Sequence, residues 1–435
     1  MATVLQRYGS GAYYSKLTMS FWIKRSKLGE QGIFGRREGS ATANLSTCHF
    51  GGDESLLINF RDGGGTSKYY MITSKFFRDV GAWYHIHIML DGDNATQGDR
   101  SKLYVNGVRE TSFQLLNNPS STGYEVNLFV GGSYYTYIAR GLRSQTDAWL
   151  TYEGCMSNFN CSTGYVYEPT VFGEVDTTTG QWKIINDPTF TPGTDGFTIL
   201  KDGNTITDQS AGSNNFSLYS GTLTNTLDCP SNVFATLNPL VISELASLSK
   251  GNNTITGTSA SNNSHSPATL QVGTSGKYYY EVKVTANESG GSEYSADGIV
   301  PNAEVIQQGT GAAGFFPKLY FDCQGKVERS SLGTGLSDLT GLTSVGSTGI
   351  KMFAIDMDNG AIYIGANGVW LNNGSAVGVP TSGGSKTGAM WSFTPSDYPN
   401  IAICSSAYNG SVTNYNFGNG TFGTSAVTSA GTSAS

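Results

Sequence analysis

Apolar and polar residues alternate in short runs along this chain, and the runs stop at clusters of Gly, Asn, Asp and Pro. The two-residue period of Leu17–Lys24, Gly32–Gly35, Ser55–Phe60, Tyr69–Phe77, Trp83–Leu90, Lys102–Val105, Asn127–Val130 and Met156–Phe159 predicts eight β-strands. The period returns at Lys277–Val284, Leu319–Phe321, Met352–Met357, Ala361–Ile364, Ile401–Ile403 and Val412–Phe417. Between the two sets, Pro188, Pro192, Pro230 and Pro239 punctuate residues 171–250, where apolar runs are short. That stretch reads as a connector. No heptad pattern is present. The pattern divides the chain into a sandwich at 1–170, the connector at 171–250, a second sandwich at 251–420 and a tail at 421–435. The tail is too polar and small-sided to offset its ordering entropy and is expected to be mobile.

One short phrase occurs twice. Trp83–Asp91, a loop and Lys102–Val105 run into Asn106-Gly107, and Lys351–Asn359, a reversal and Ala361–Ile364 run on towards Asn367-Gly368. Asn-Gly tolerates the positive φ of a tight hairpin turn, so each phrase is a strand, a reversal and a return strand ending in a second turn. Hairpins of this kind build antiparallel sandwiches. The fold class is all-β, with two antiparallel β-sandwiches of jelly-roll type.

Composition agrees with that class. Among 435 residues there are 57 glycines, and only 14% of residues are charged, which fits a chain of many turns and few helices. The length exceeds what one hydrophobic core serves. Residues 1–170 hold 16 Lys and Arg against 14 Asp and Glu, while 171–435 hold 10 against 19. An acidic second half repels phosphate backbones and anionic membranes, so neither nucleic acid nor membrane insertion is expected. Basic pairs such as Lys24-Arg25 and Arg36-Arg37 are expected on outward strand faces. Met1–Gly11 lacks the apolar run of a secretory signal, which points to assembly in a cytoplasm. The six cysteines have neither CxxC nor zinc spacing and are expected to be free thiols.

Motifs for chemistry are sparse. Glu174-Val175-Asp176 is the one carboxylate pair with suggestive spacing for glycoside hydrolysis, and it falls in the connector. His85 and His87 share a strand face, an arrangement for metal ligation or for plain pleat packing. Asp91, Asp93, Asn94 and Asp99 crowd one loop and offer hard oxygen ligands to calcium, although Asx turns account for the same residues. Asp356, Asp358 and Asn359 read as a type I′ turn. For a ligand surface, Tyr134, Tyr135 and Tyr137 near Asn117 and Asn118 offer rings for sugar C–H faces and amides for hydroxyls.

The words Thr18–Ser26, Ala82–His85 and Asp99–Gly107 resemble the concanavalin A-like, laminin G-like module common in structural proteins of tailed phages, marine and cyanobacterial ones in particular. Gly276–Val282, Phe353–Gly360 and Asn367–Trp370 are similar to the SPRY module, itself such a sandwich. The resemblance implies a virion surface protein, such as a tail fibre or spike, that binds a host surface glycan or receptor without catalysis. It implies other virion proteins as partners and a homo-oligomer, with a trimer as the analogy from phage fibres. A capsid or tail decoration that binds only other virion subunits is the alternative. A polysaccharide depolymerase, which needs paired carboxylates on a concave face, is the third reading.

Overall fold

The computed structural model describes residues 2–37, 45–61, 66–126, 128–129, 134–142, 149–201, 203, 205–242, 245–258, 264–286, 295–301, 318–332 and 335–431. The described residues form strands, turns and short 3-10 segments, with no α-helix among them. The chain divides into two compact units, residues 1–225 with 229–233, and residues 226–228 with 234–435.

In the first unit an eight-stranded sheet runs in the order Phe113–Asn117, Ser67–Phe76, Ser55–Arg61, Leu45–Phe50, Gln31–Arg37, Tyr135–Ile138, Val4–Tyr8, Ser217–Ser220. A six-stranded sheet runs Phe197–Ile199, Gly154–Thr163, Lys16–Arg25, Trp83–Asp91, Ser101–Val105, Val108–Arg109. Their strand pairs are antiparallel. Alternation sends Leu17, Met19, Phe21 and Ile23 from one sheet against Phe34, Ile58 and Phe60 from the other. Phe21 stacks on Phe159 at 4.5 Å with 7° between planes, and Phe34 meets both rings edge-on.

Asn106 and Gly107 take φ of 49° and 76°, and Asn367 and Gly368 take 50° and 85°, so both Asn-Gly pairs make the expected turns. The Asp356 loop differs. Residues 357–360 bridge paired Asp356 and Ala361, and in this loop only Gly360 has positive φ, so it is no type I′ turn. Asp356 instead caps it, accepting from the Asn359 backbone N–H at 3.1 Å.

Three expectations are corrected. The 171–250 stretch is incorporated into sheets: Gly173–Val175 and Trp182–Ile184 pair as a hairpin, Phe197–Ile199 extends the six-stranded sheet, and Ser217–Ser220 forms an edge of the eight-stranded one. Phe197, Ile199 and Phe216 join the core, so prolines here shorten strands without excluding them. The basic residues Lys24, Arg25 and Arg36 are buried. Arg25 sits 4.1 Å from the Phe50 ring centre and donates to Glu54 Oε2, the Phe77 carbonyl and the Gly29 carbonyl, which satisfies its charge inside. Part of the described tail is packed, with residues 424–430 largely exposed: Thr421–Phe422 pairs with Ser425–Ala426, Phe422 covers Ile350 and Met352, and the buried Glu281 carboxylate accepts from the Gly431 N–H. Of the Asn127–Val130 strand, Asn127 and Val130 lie outside the described residues, and Leu128 and Phe129 form a turn.

In the second unit one sheet runs Ala246–Ser249, Thr254–Gly257, Val412–Asn416, Lys277–Ala286, Ile350–Asp356, Ala361–Ala366, Val369–Trp370. The other runs Ser264–Pro267, Ile401–Ala407, Asp297–Pro301, Leu319–Phe321, Val327–Glu328. Tyr280, Val282, Phe353 and Ile355 meet Ile299, Phe321 and Ile401 in the core. Within it Lys351 Nζ stands 2.7 Å from Asp297 Oδ2, with both side chains fully buried. Ser405 and Tyr415 hydroxyls donate to the other carboxylate oxygen. Burial alone pulls the ammonium's pKa down, but Asp297 more than offsets it and leaves it raised.

Candidate functional site

The outer face of the eight-stranded sheet carries the rings that face solvent. In Tyr135–Ile138, Thr136 and Ile138 turn inward and are buried, which leaves Tyr135 and Tyr137 on the outer side. Tyr8 lies directly opposite Tyr135 in the ladder, and their rings stack at 3.8 Å with 28° between planes. At Ala139, φ of 62° ends this strand and turns the chain into Arg140–Leu142, which pairs with Trp149–Thr151.

That small hairpin lies on the sheet because glycines give it room. A Cβ on Gly32 would come within 2.0 Å of the Gly141 backbone nitrogen, and one on Gly35 within 3.1 Å of the Gly141 Cα. Leu142 N–H donates to Thr47 Oγ1 at 3.0 Å and fixes the contact. The overlay brings Trp149 to Tyr137 at 5.0 Å, edge to face, while Tyr219 from the edge strand meets the same ring at 5.4 Å. The Arg140 guanidinium lies 4.4, 4.8 and 4.9 Å from the ring centres of Trp149, Tyr137 and Tyr219. Tyr8 and Tyr219 are each 49% exposed, and Arg140, Tyr135, Tyr137 and Trp149 are half-buried. Tyr134 precedes the strand and is half-buried too. On the same face Gln6 pairs in register with Tyr137, and its amide oxygen has no hydrogen-bond partner among the described residues.

Asn117 and Asn118 are not part of this terrace. Asn117 ends the strand at the opposite edge of the sheet, five strand spacings or roughly 24 Å from Tyr135. Its side chain donates to the Ser67 carbonyl, and Asn118 Oδ1 accepts from Ser101 Oγ. The two sets sit on different strands of the sheet, so closeness in sequence is lost in space. Tyr8, Arg140, Trp149 and Tyr219 escaped the sequence reading because they come from four separate segments. The close glycines 32, 35 and 141 were the available signal.

The expected calcium loop is held by the protein's own donors. Asp91 accepts from the Asp93 N–H at 3.3 Å, Asn94 from the Thr96 N–H at 2.9 Å, and Asp93 from Ser15 Oγ at 2.9 Å. Asp99 is taken up by Arg109 at 2.9 Å and Lys102 at 3.6 Å, and the Arg109 hydrogen bond holds its carboxyl below the usual range. Among the described residues no group of three His, Cys, Asp or Glu side chains is arranged to hold a metal ion. Asx turns and ion pairs use these oxygens in the structure.

His85 and His87 lie under the Gly173–Ile184 hairpin. His85 is stacked between Trp22 at 4.9 Å and Trp182 at 5.9 Å. Trp182 Nε1–H donates to His85 Nδ1 at 2.9 Å, so the ring proton sits on Nε2 and points to Ser20 Oγ at 2.8 Å. His87 Nε2 donates to the Tyr167 carbonyl at 2.9 Å. Burial pushes the His85 pKa well down, and that of His87 down to about 4. Both are packing residues that stay neutral. Glu174 and Asp176 lie on the exposed side of the covering hairpin, bridged by Lys183 at 3.3 and 3.6 Å. All six cysteines are free.

Residues 10–150 match the concanavalin A-like lectin/glucanases superfamily. The concanavalin A-like sandwich and the all-β class expected from the sequence are thereby met. Similar solved structures include the SPRY domain of human HERC1, at 15% identity over 42% of this chain and 98% of that one, with a TM-score of 0.30. A heptameric SAP-like pentraxin from Limulus polyphemus follows at 14% identity, covering 39% of this chain and 73% of that one, with a TM-score of 0.28. Domain 4 of an extracellular arabinanase from Geobacillus stearothermophilus, in complex with arabinotriose, aligns at 16% identity over 38% of this chain and 68% of that one, with a TM-score of 0.26. No curated protein matches the chain.

Proposed function

We propose that this chain is a non-enzymatic glycan-binding structural protein of a phage virion surface, assembled in the bacterial cytoplasm, and that the terrace of the first unit is its contact surface. The observation that carries the reading is the row of outward-facing rings around Tyr137, fixed by ladder register and by the overlaid hairpin. Pyranose C–H faces pack on such rings, and the rings lose little entropy because each is already held. The virion placement is supported by the resemblance of Thr18–Ser26 and Asp99–Gly107 to tailed-phage structural proteins. A second reading, a decoration protein that binds virion subunits or copies of itself, is favoured by the edge strand Phe113–Asn117. There Leu115 and Leu116 are 40% and 47% exposed beside unpaired backbone.

A glycan array probed with the full chain, together with a reducing-sugar release assay, tests the reading. Binding to a defined subset of glycans is expected, weakened at least tenfold by Tyr137→Ala or Trp149→Ala, with no sugar released. Silence across the array would move the assignment to the decoration reading, and steady release of reducing ends would overturn the non-enzymatic one.

A further inference from the structure

The described arginines of the first unit differ in what their N–H groups do. Arg7 donates to Asp195 and Asn214, Arg25 to Glu54 and two carbonyls, Arg100 to the carbonyls of Asn94 and Pro119, and Arg109 to Asp99. The Arg140 side chain instead lies against three rings, and its guanidinium makes no hydrogen bond or ion pair to any described residue. Its half-buried side chain therefore places a positive fork, uncommitted among the described residues, beside a stacking surface. A guanidinium fork matches a carboxylate in shape and binds it through two parallel N–H···O contacts. The rings hold the fork's position and thin the water around it, which strengthens such a contact.

We propose that the terrace selects glycans bearing uronic acids, with the pyranose ring stacked on Tyr137 and its neighbours and its C6 carboxylate received by Arg140. The geometry suits this sugar class because a uronate carries its carboxylate at the ring's periphery, where it overhangs the stacking face towards the adjacent cation. A neutral hexose presents only a hydroxymethyl group there. This proposal rests on the glycan-binding reading and adds the charge class of the ligand.

The test titrates the full chain with oligogalacturonate, with the same oligosaccharide as its neutral methyl ester, and with poly-glutamate. Oligogalacturonate is expected to bind about tenfold more tightly than the ester, with a preference that shrinks as salt rises. Arg140→Gln is expected to abolish the preference while leaving weak binding of the ester, and Arg140→Lys to restore only part of it. Near-ultraviolet circular dichroism of each variant reports whether the Trp149 hairpin stays seated. If it does not, the wild-type comparison of acid with ester decides alone. Equal affinity for acid and ester, or selective array binding confined to neutral or sulfated sugars, would overturn the uronate proposal and leave glycan binding standing. Poly-glutamate binding as tightly as oligogalacturonate would also overturn it, by showing response to charge alone. Failure to bind any glycan would remove the parent reading instead.

Discussion

Single residues in the first unit are held in unusual states by what packs on them. His85 and His87 are neutral because their rings have no water to solvate a charge, and His87 would take a proton only near pH 4. An unfolded chain would protonate them near 6.5, so between 6.5 and 4 the unfolded state binds more protons. Stability is therefore full above about pH 6.5 and falls as the pH drops towards 4, with His87 alone accounting for up to about 3 kcal/mol. Urea midpoints measured at pH 7.5, 5.5 and 4.5 are expected to decline in that order. His87→Gln keeps a donor for the Tyr167 carbonyl and removes the titration, so its decline should be shallower. An identical slope in both proteins would show that the burial of His87 has no part in it.

Elements here are fixed by where glycine lets backbones approach. The Arg140–Thr151 hairpin rests on Gln31–Arg37 through Gly32, where an added Cβ would lie 2.0 Å from one backbone nitrogen and 2.4 Å from the Leu150 carbonyl oxygen. Gly32→Ala is expected to lift the hairpin, at a cost of about 1–3 kcal/mol by analogy with overpacked cores, and to carry Arg140 and Trp149 away from Tyr137. Glycan binding should fall at least tenfold although no ring is altered. Unchanged binding with a normal melting temperature would contradict the account. At this scale strands with clean alternation, such as Lys16–Arg25 and Trp83–Asp91, were legible in sequence, as were both Asn-Gly turns. Leu45–Phe50 and Tyr135–Ile138 were not recognised as strands. The first mixes polar and apolar side chains that are all buried, and the second is only four residues long. Of the candidate site, Tyr135 and Tyr137 could be read because their alternation is local. Arg140 and Tyr219 could not, because a hairpin overlay and an edge pairing bring them in.

At the scale of the whole molecule, each unit has its own core, and the second contains a charge pair that has no access to water. Lys351→Met leaves Asp297 buried with hydroxyl partners only, which should cost roughly 3–5 kcal/mol. Pairing it with Asp297→Leu should recover much of that loss, because no lone charge then remains inside. Calorimetry on the full chain is expected to show the second unit's transition shifted down in the single variant, with the binding properties of the first unit kept at 25 °C. A single variant as stable as the parent would show that the pair is not buried in solution.

The segment from Gly173 to Ser220 begins beyond the residues that match the superfamily, yet it roofs Trp22 and His85, adds Phe197–Ile199 to one sheet and edges the other with Ser217–Ser220. A fragment cut at residue 170 strips two strands from the sandwich and unroofs a tryptophan-lined face, and one cut at 150, as sequence similarity alone would recommend, also loses the central strand Gly154–Thr163. Such a fragment should be sticky and poorly soluble, whereas one ending at residue 233 retains the whole sandwich. Anyone dividing this protein for binding studies should cut by architecture rather than by homology.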